Sequence, residues 1–384
     1  MIGLLLAIIY ISFISLGLPD SLLGSVWPSI FEQMGSTVSG AGNIAMVIAA
    51  CTIAASLLAD RLIHRFGTGK IAVVSVALTA TALFGFSFCT RYWQLLLCAV
   101  PYGLGAGAID SALNNYVALH FKARHMSWLH CMWGVGASVG PYIMGLCLGA
   151  DGGWRAGYRV IGVIQLIITV LLLCAIPLWK GSAADDGKRG KVLSLRQAAA
   201  LPGAKALFVT FFCYCALEAS VGLWASSWMN AVKGVSAANA AFYAVLFFGG
   251  ITLGRFISGF LSERMGDQRM IRLGIGLIFG GIALLLLPFG QIVAAAGLLV
   301  IGLGCAPIYP SIIHATPSRF GAEYAQSLVG VEMACAYLGT TFMPKLVGVL
   351  CDWIGIAFFP CFLLAVAGLM LFMSECSIGR AKRG

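Results

Sequence analysis

The chain has 384 residues, of which 60% are hydrophobic and only 10% charged. A soluble globular domain carries roughly 25% charged residues, so this composition excludes a water-soluble enzyme and a nucleic-acid binder, even though the formal net charge is +10. A helical span takes about 20 apolar residues, and with its connection roughly 30, so the chain can supply about twelve spans and has no length left for a soluble domain.

In chain order, apolar runs broken by charges or Gly/Pro clusters predict spans at about 3–31, 38–60, 70–89, 93–119, 126–149 and 157–179. A second set is predicted at about 204–231, 237–261, 270–288, 291–314, 323–350 and 353–375. Between the sets runs a polar stretch from Lys180 to Lys205. The expected organisation is therefore an all-α membrane protein: a six-helix bundle over 1–180, a linker over 181–203 and a second six-helix bundle over 204–384. Met1 to Ile9 has no basic n-region, so no cleavable signal is expected.

Placing both termini and the linker on one side gathers eighteen of the 24 basic residues there, among them Arg61, Arg65, Arg124, Arg189, Arg264 and Arg272. The other side holds Arg91, Arg155, Arg159 and Lys233. Lys and Arg accumulate in cytoplasmic loops, which makes the first side cytoplasmic and accounts for the net positive charge. This distribution assigns no arginine to mid-membrane. The thirteen cysteines are scattered without metal-ligand spacing, and His120, His125 and His130 spread around their helix. No metal and no cofactor are expected.

The two halves repeat each other. Leu58-Ala59-Asp60-Arg61 at the end of span two has a counterpart in Leu261-Ser262-Glu263-Arg264, 203 positions later. Gly103-Leu104-Gly105 in span four has one in Gly302-Leu303-Gly304, 199 positions later, and Gly136 with Pro141 matches Gly339 with Pro344. Parallel repeats of this kind are one plan of secondary transporters.

Four of the fourteen acidic residues fall deep in predicted spans: Asp20, Asp110, Glu218 and Glu332. A carboxylate at the bilayer centre costs about 2.5–3.5 kcal/mol on insertion scales, so each needs a partner or a function, and a carboxyl in such a place can serve as a site that gains and loses a proton. Asp110 shares a helical face with Gly103, Gly107 and Asn114, where small residues would let a solute approach. Asp20 follows the break Gly17-Leu18-Pro19, where the helix can kink. Glu332 and Lys345 are thirteen residues apart, about 20 Å of helix, too far to pair. Trp27, Trp133, Trp224, Trp228, Tyr309 and Tyr337 are amphipathic rings inside spans, of the kind that pack on sugar C–H faces while offering a hydrogen bond. The glycine-rich runs around 103–107 and 134–140 resemble phosphate loops but, lying in apolar spans, serve close helix packing.

Twelve spans in two halves, with Asp60-Arg61 followed by Arg65, Gly67 and Lys70 after span two, resemble the major facilitator superfamily. Within it the pattern is similar to the fucose, galactose and glucose proton symporter group. Asp20 in Leu18-Pro19-Asp20-Ser21 matches that group's first-span acid, and Asp110 with Asn114 its fourth-span acid plus Asn; Tyr214, Glu218 and Trp224 resemble its seventh-span pattern. Here the fourth-span acid is Asp rather than Glu, and Trp133 takes the place of a polar residue in span five. The resemblance implies proton-coupled uptake of a monosaccharide or related small polar solute by alternating access, with the proton as the only coupling ion and no enzyme activity. Asp110, Asp20 and Glu218 would be the proton-coupling residues. Asp20, Asn114, Trp27, Trp133, Tyr214, Trp224, Trp228, Tyr309, Glu332 and Tyr337 would bind solute, and Asp60, Arg61, Arg65, Glu263 and Arg264 would form a cytoplasmic gate. A monomer in a bacterial-type inner membrane is expected. The alternative is a proton-driven antiporter exporting drugs or metabolites, compatible with aromatic-rich spans and no mid-membrane arginine.

Overall fold

The computed structural model describes residues 2–121, 123–150, 152–179 and 195–381. Residues 180–194 of the predicted linker lie outside it, as do the side chains of Asp60 and Glu263. The first half comprises α1 (Ile2–Asp20), α2 (Leu22–Ile30), α3 (Gly40–Phe66), α4 (Thr68–Phe88), α5 (Tyr92–His120), α6 (Ala123–Gly149) and α7 (Gly153–Ala175). A short α8 (Leu195–Ala200) precedes the second half. That half comprises α9 (Ala204–Lys233), α10 (Ala237–Met265), α11 (Asp267–Leu286), α12 (Gln291–Cys305), α13 (Ile308–Phe320), α14 (Ala322–Ile354) and α15 (Phe359–Ala381). Among the described residues, twelve spans are long and apolar enough to cross a membrane: α1 and α2 together form the first, and α12 and α13 together run through the tenth. The protein is an integral membrane protein, and because these spans are even in number the start of α1 and the end of α15 lie at the same end of the bundle.

The tenth span is longer than the sequence reading placed it, and it is interrupted at Ala306-Pro307 between α12 and α13. The first span breaks at Ser21, two residues past Pro19. Proline has no N–H to give to the carbonyl four residues back, so the Ser15 carbonyl loses its helical donor. In a buried helix that carbonyl still needs a partner. Gln165 of α7 supplies it: its side-chain amide donates to the Ser15 carbonyl, and its Oε1 accepts from Ser15 Oγ at 2.7 Å. Gln165 is completely buried, and its one visible task is to satisfy the backbone that the kink disrupts.

Backbone contact between helices depends on glycine at a few positions. A Cβ on Gly17 of α1 would overlap the Trp133 carbonyl of α6, and one on Gly136 would overlap the Ile14 carbonyl. The two helices therefore touch backbone to backbone, fixing Trp133 beside the kink. The same device joins α3 to α5 and its repeat joins α10 to α12. Gly103 lies on the Ile48 carbonyl, and Gly302, 199 positions later, lies on that of Phe247, which is also 199 positions after Ile48. This agreement in three dimensions supports the internal duplication.

The halves meet through α2 on α9, α3 on α14 and α6 on α10. At the end opposite the termini the approach is close: Gly24 packs on the backbone at Gly222 and Leu223, Gly42 on that of Lys345, and the Ser39 N–H donates to Asp352 Oδ1 at 3.2 Å. At the terminal end, Arg272 of α11 and Glu375 of α15 make a two-pronged ion pair within the second half, both bonds 2.6 Å.

Replacing Gln165 by Leu, which keeps the volume but removes the donor, leaves the Ser15 carbonyl buried and unpaired. Such a loss costs about 1–3 kcal/mol, so Gln165→Leu should lower the thermal unfolding midpoint in detergent by several degrees. An unchanged midpoint would show that the kink does not rely on this residue.

Candidate functional site between the two halves

Asp20 is the last residue of α1 and is solvent-exposed, whereas residues 15–19 and 21–22 around it are buried. It lies near the middle of the first span, with its carboxyl turned to side chains of α5 and α6. Both carboxyl oxygens hold a donor: Tyr102 of α5 donates its hydroxyl to Oδ1 at 2.7 Å and Trp133 of α6 its indole N–H to Oδ2 at 2.7 Å. The sequence makes this possible locally. Pro19 breaks the helix so that the carboxyl leaves the lipid face, and the Gly17 contact sets Trp133 within reach.

Asp110 of α5 is half-buried. Asn114, one turn on, donates its side-chain amide to Asp110 Oδ1 at 2.9 Å and to the Asp110 carbonyl at 3.0 Å. Asp20, Tyr309 of α13 and Tyr337 of α14 all lie within electrostatic reach of Asp110. The Asp110 carboxyl of the first half thus lies in the neighbourhood of two tyrosines of the second. Gly103 and Gly107 do not contribute to this cluster as expected. Their Cα atoms lie against α3, where Thr52 and Ser56 hydroxyls donate to the Gly103 and Gly107 carbonyls at 3.2 Å each. The small residues on that face serve helix packing rather than solute approach.

Two residues of this region, Tyr102 and Arg255, were not anticipated from the sequence. Arg255 of α10 stands in mid-membrane, where none was expected, with its side chain 17% exposed. Its Nη2 lies 3.8 Å from Glu218 Oε1 of α9, whose side chain is 20% exposed. Its Nη1 lies 3.5 Å from the His130 carbonyl of α6, and its guanidinium stands over the Trp133 ring, 5.3 Å from the centroid. Arg255 therefore links the second half to the same Trp133 that holds Asp20. The signal was legible, a single Arg in the apolar run 240–261, but sorting basic residues between the two sides left no place for a charge in the middle.

Glu218, Trp133, Tyr309, Tyr337 and Asn114 join this region as half-buried side chains. Other predicted solute-binding residues do not. Trp27 and Trp224 are fully buried, and their indole N–H groups donate to the backbone carbonyls of Val38 at 2.8 Å and Pro344 at 2.9 Å. Trp228 is 2% exposed beside Lys233; Tyr214 is buried against Phe211 and Tyr309, yet its hydroxyl comes within reach of Arg255. Glu332 is completely buried on the α13 side of α14, accepting from Thr316 Oγ1 at 2.7 Å. The Trp27 and Trp224 indoles are satisfied within their own surroundings, whereas Trp228 Nε1 and Glu332 Oε2 are buried without a hydrogen-bond partner among the described residues. Arg61, Arg65 and Arg264 at the terminal ends of α3 and α10 are exposed, with Arg65 over the Phe66 ring. Their acidic counterparts in the expected gate, Asp60 and Glu263, lie outside the described side chains. His125 accepts or donates with the Tyr10 hydroxyl at 2.9 Å, and no cluster of potential metal ligands occurs among the described residues.

The sequence profile described as Major Facilitator Superfamily matches residues 9–344. The chain belongs to the major facilitator superfamily. Among its relatives is Bypass of stop codon protein 6 of Saccharomyces cerevisiae, 24% identical and aligned over 96% of this chain and 80% of that one. The glucose/mannose transporter GlcP of Bacillus subtilis is 22% identical, over 88% and 86% of the two chains. A glucose/galactose transporter of Brucella abortus is 26% identical, over 78% and 76%. A bacterial homologue of the human lysosomal transporter Spinster, solved in an inward-facing, unoccupied conformation, superposes with a TM-score of 0.81 at 14% identity, covering 98% of each chain. That likeness confirms the twelve-helix fold. This superfamily member is a transporter and not an enzyme, and relatives named for hexoses accompany the resemblance to the sugar-symporter group.

Trp133→Phe keeps a ring beneath Arg255 but removes the N–H from Asp20. Because Asp20 is reached by solvent, water can replace part of the lost bond. Solute affinity should fall about 3- to 10-fold with little change in unfolding temperature. A large loss of stability with unchanged affinity would mean that Trp133 is a packing residue.

Proposed function

We propose that this transporter carries a monosaccharide or related small polar solute inward together with a proton. The solute binds between the halves, and the halves rock to expose it to each side in turn. The observation that carries this reading is the Asp20 carboxyl, placed in mid-membrane and held by Tyr102 and Trp133, with Asp110 close by. Such a carboxyl can accept a solute hydroxyl, and a second acid nearby can hold the proton, so that loading one site alters the charge felt at the other. Asn114 adds two donors and an acceptor, and Trp133, Tyr309 and Tyr337 add rings to pack on a pyranose face. Relatives named glucose/mannose and glucose/galactose transporters support the solute class. The basic residues at the terminal end favour a cytoplasmic location for both termini, in an inner membrane of bacterial type, with the chain acting as a monomer. The competing antiporter reading loses one of its two supports, because Arg255 occupies mid-membrane.

In proteoliposomes, accumulation of the solute should follow an imposed inward proton gradient and collapse when the gradient is dissipated. Asp110→Asn should reduce gradient-driven accumulation to the leak level while solute exchange between the two faces continues. Accumulation that ignores the gradient, or that persists in Asp110→Asn, would refute the coupling role.

A further inference from the structure

We propose that Arg255 anchors a carboxylate on the carried solute, so that the transported molecule is a polyhydroxylated acid, such as a sugar acid, rather than a neutral sugar. The inference rests on the reading that the inter-half space is the solute site.

Among the described residues, Arg255 has no carboxylate closed on it. A guanidinium has five N–H donors, and a charged side chain in mid-membrane is held there at a cost of several kcal/mol unless it is paired. Charge-assisted bonds to carboxylates run about 2.7–2.9 Å. The carboxylate and carbonyl contacts of Arg255 are longer, 3.8 Å to Glu218 through one nitrogen and 3.5 Å to the His130 carbonyl through another, with the Tyr214 hydroxyl also within its reach. The same chain shows what a closed pair looks like. Arg272 and Glu375, side chains 49% and 41% exposed, lock at 2.6 Å through two parallel bonds. The exposed pair, which water could satisfy, is closed, while the intramembrane arginine keeps its fork open. Glu218 does not close on it, although both side chains are only partly exposed.

The open fork has the geometry for a carboxylate, which a planar guanidinium grips through two parallel bonds. Its placement suits a solute whose other end carries hydroxyls. Trp133 separates the two chemistries: its indole N–H holds Asp20, and its ring lies under Arg255. A molecule a few carbons long, packed along that ring, can offer hydroxyls to Asp20 and Asn114 on the first half while its carboxylate meets Arg255 on the second. A neutral sugar would leave the fork as it is found, with its donors facing an uncharged ligand. A carboxylate also balances a site that otherwise holds one cation against Asp20, Asp110 and Glu218, drawing Arg255 away from Glu218 as it binds.

The test compares D-glucose with D-gluconate and D-glucuronate as probes, measuring equilibrium binding to the full-length protein in lipid nanodiscs. The acids should bind at least about tenfold more tightly than D-glucose, the worth of one charge-assisted fork. Arg255→Gln should erase that preference, and Arg255→Lys should keep part of it. Because Arg255→Gln strands Glu218, the paired variant Arg255→Gln/Glu218→Gln serves as the folded control and should show the same loss of preference. Equal binding of neutral and acidic probes would overturn the proposal while leaving sugar transport intact. Preference for the acids that survives both glutamine variants would overturn the assignment to Arg255. Binding of none of the three would overturn this proposal together with the reading of the solute class on which it rests.

Discussion

A polar group placed in hydrocarbon has to be answered inside the protein, because the bilayer offers no water to do it. In this chain that constraint converges on a single point, the break in the first span. Pro19 withdraws one donor from the helix, Gln165 replaces it from α7, and the freed geometry turns the Asp20 carboxyl toward side chains of α5 and α6. Tyr102 and Trp133 then clamp both oxygens. Three helices, α5, α6 and α7, are thus committed to one kink, and the first half is organised around it.

The same Trp133 carries the organisation across the midline. Its backbone is pinned to Gly17, its N–H to Asp20, and its ring lies beneath Arg255 from the opposite half. A shift of α10 relative to α6 would alter the ring contact and the Arg255–His130 contact together, so the charged residues of one half are mechanically tied to those of the other. At the end opposite the termini the halves are joined by close backbone packing at Gly24 and Gly42 and by the bond from the Ser39 N–H to Asp352.

The fold was readable from the sequence because its signals are redundant. Twelve apolar runs, an asymmetry of basic residues and a repeat at offsets near 200 each lead to the same architecture, and the glycine contacts reproduce that offset in space. The site was readable only in part. Asp20 and Asp110 stood out because an acid in an apolar run is rare. Trp27, Trp224 and Trp228 looked equivalent to Trp133, because composition does not reveal which face of a helix meets a neighbouring helix and which meets a cavity. Gly103 and Gly107 lie two turns and one turn before Asp110 yet turn to α3, a distinction of helical azimuth that depends on where the neighbour packs. Arg255 was overlooked because counting basic residues by side presumes that each belongs to a loop.

The central claim is that solute occupies the space bordered by Asp20, Asp110 and Arg255. Hydrogen–deuterium exchange of the protein in nanodiscs, with and without a saturating bound solute, tests it without altering any residue. Protection should fall on the α1–α2 junction, the middle of α5, the segment of α6 around Trp133 and the segment of α10 around Arg255. Protection confined to the linker-proximal ends or to the outward faces of α4, α7, α11 and α15 would contradict the account.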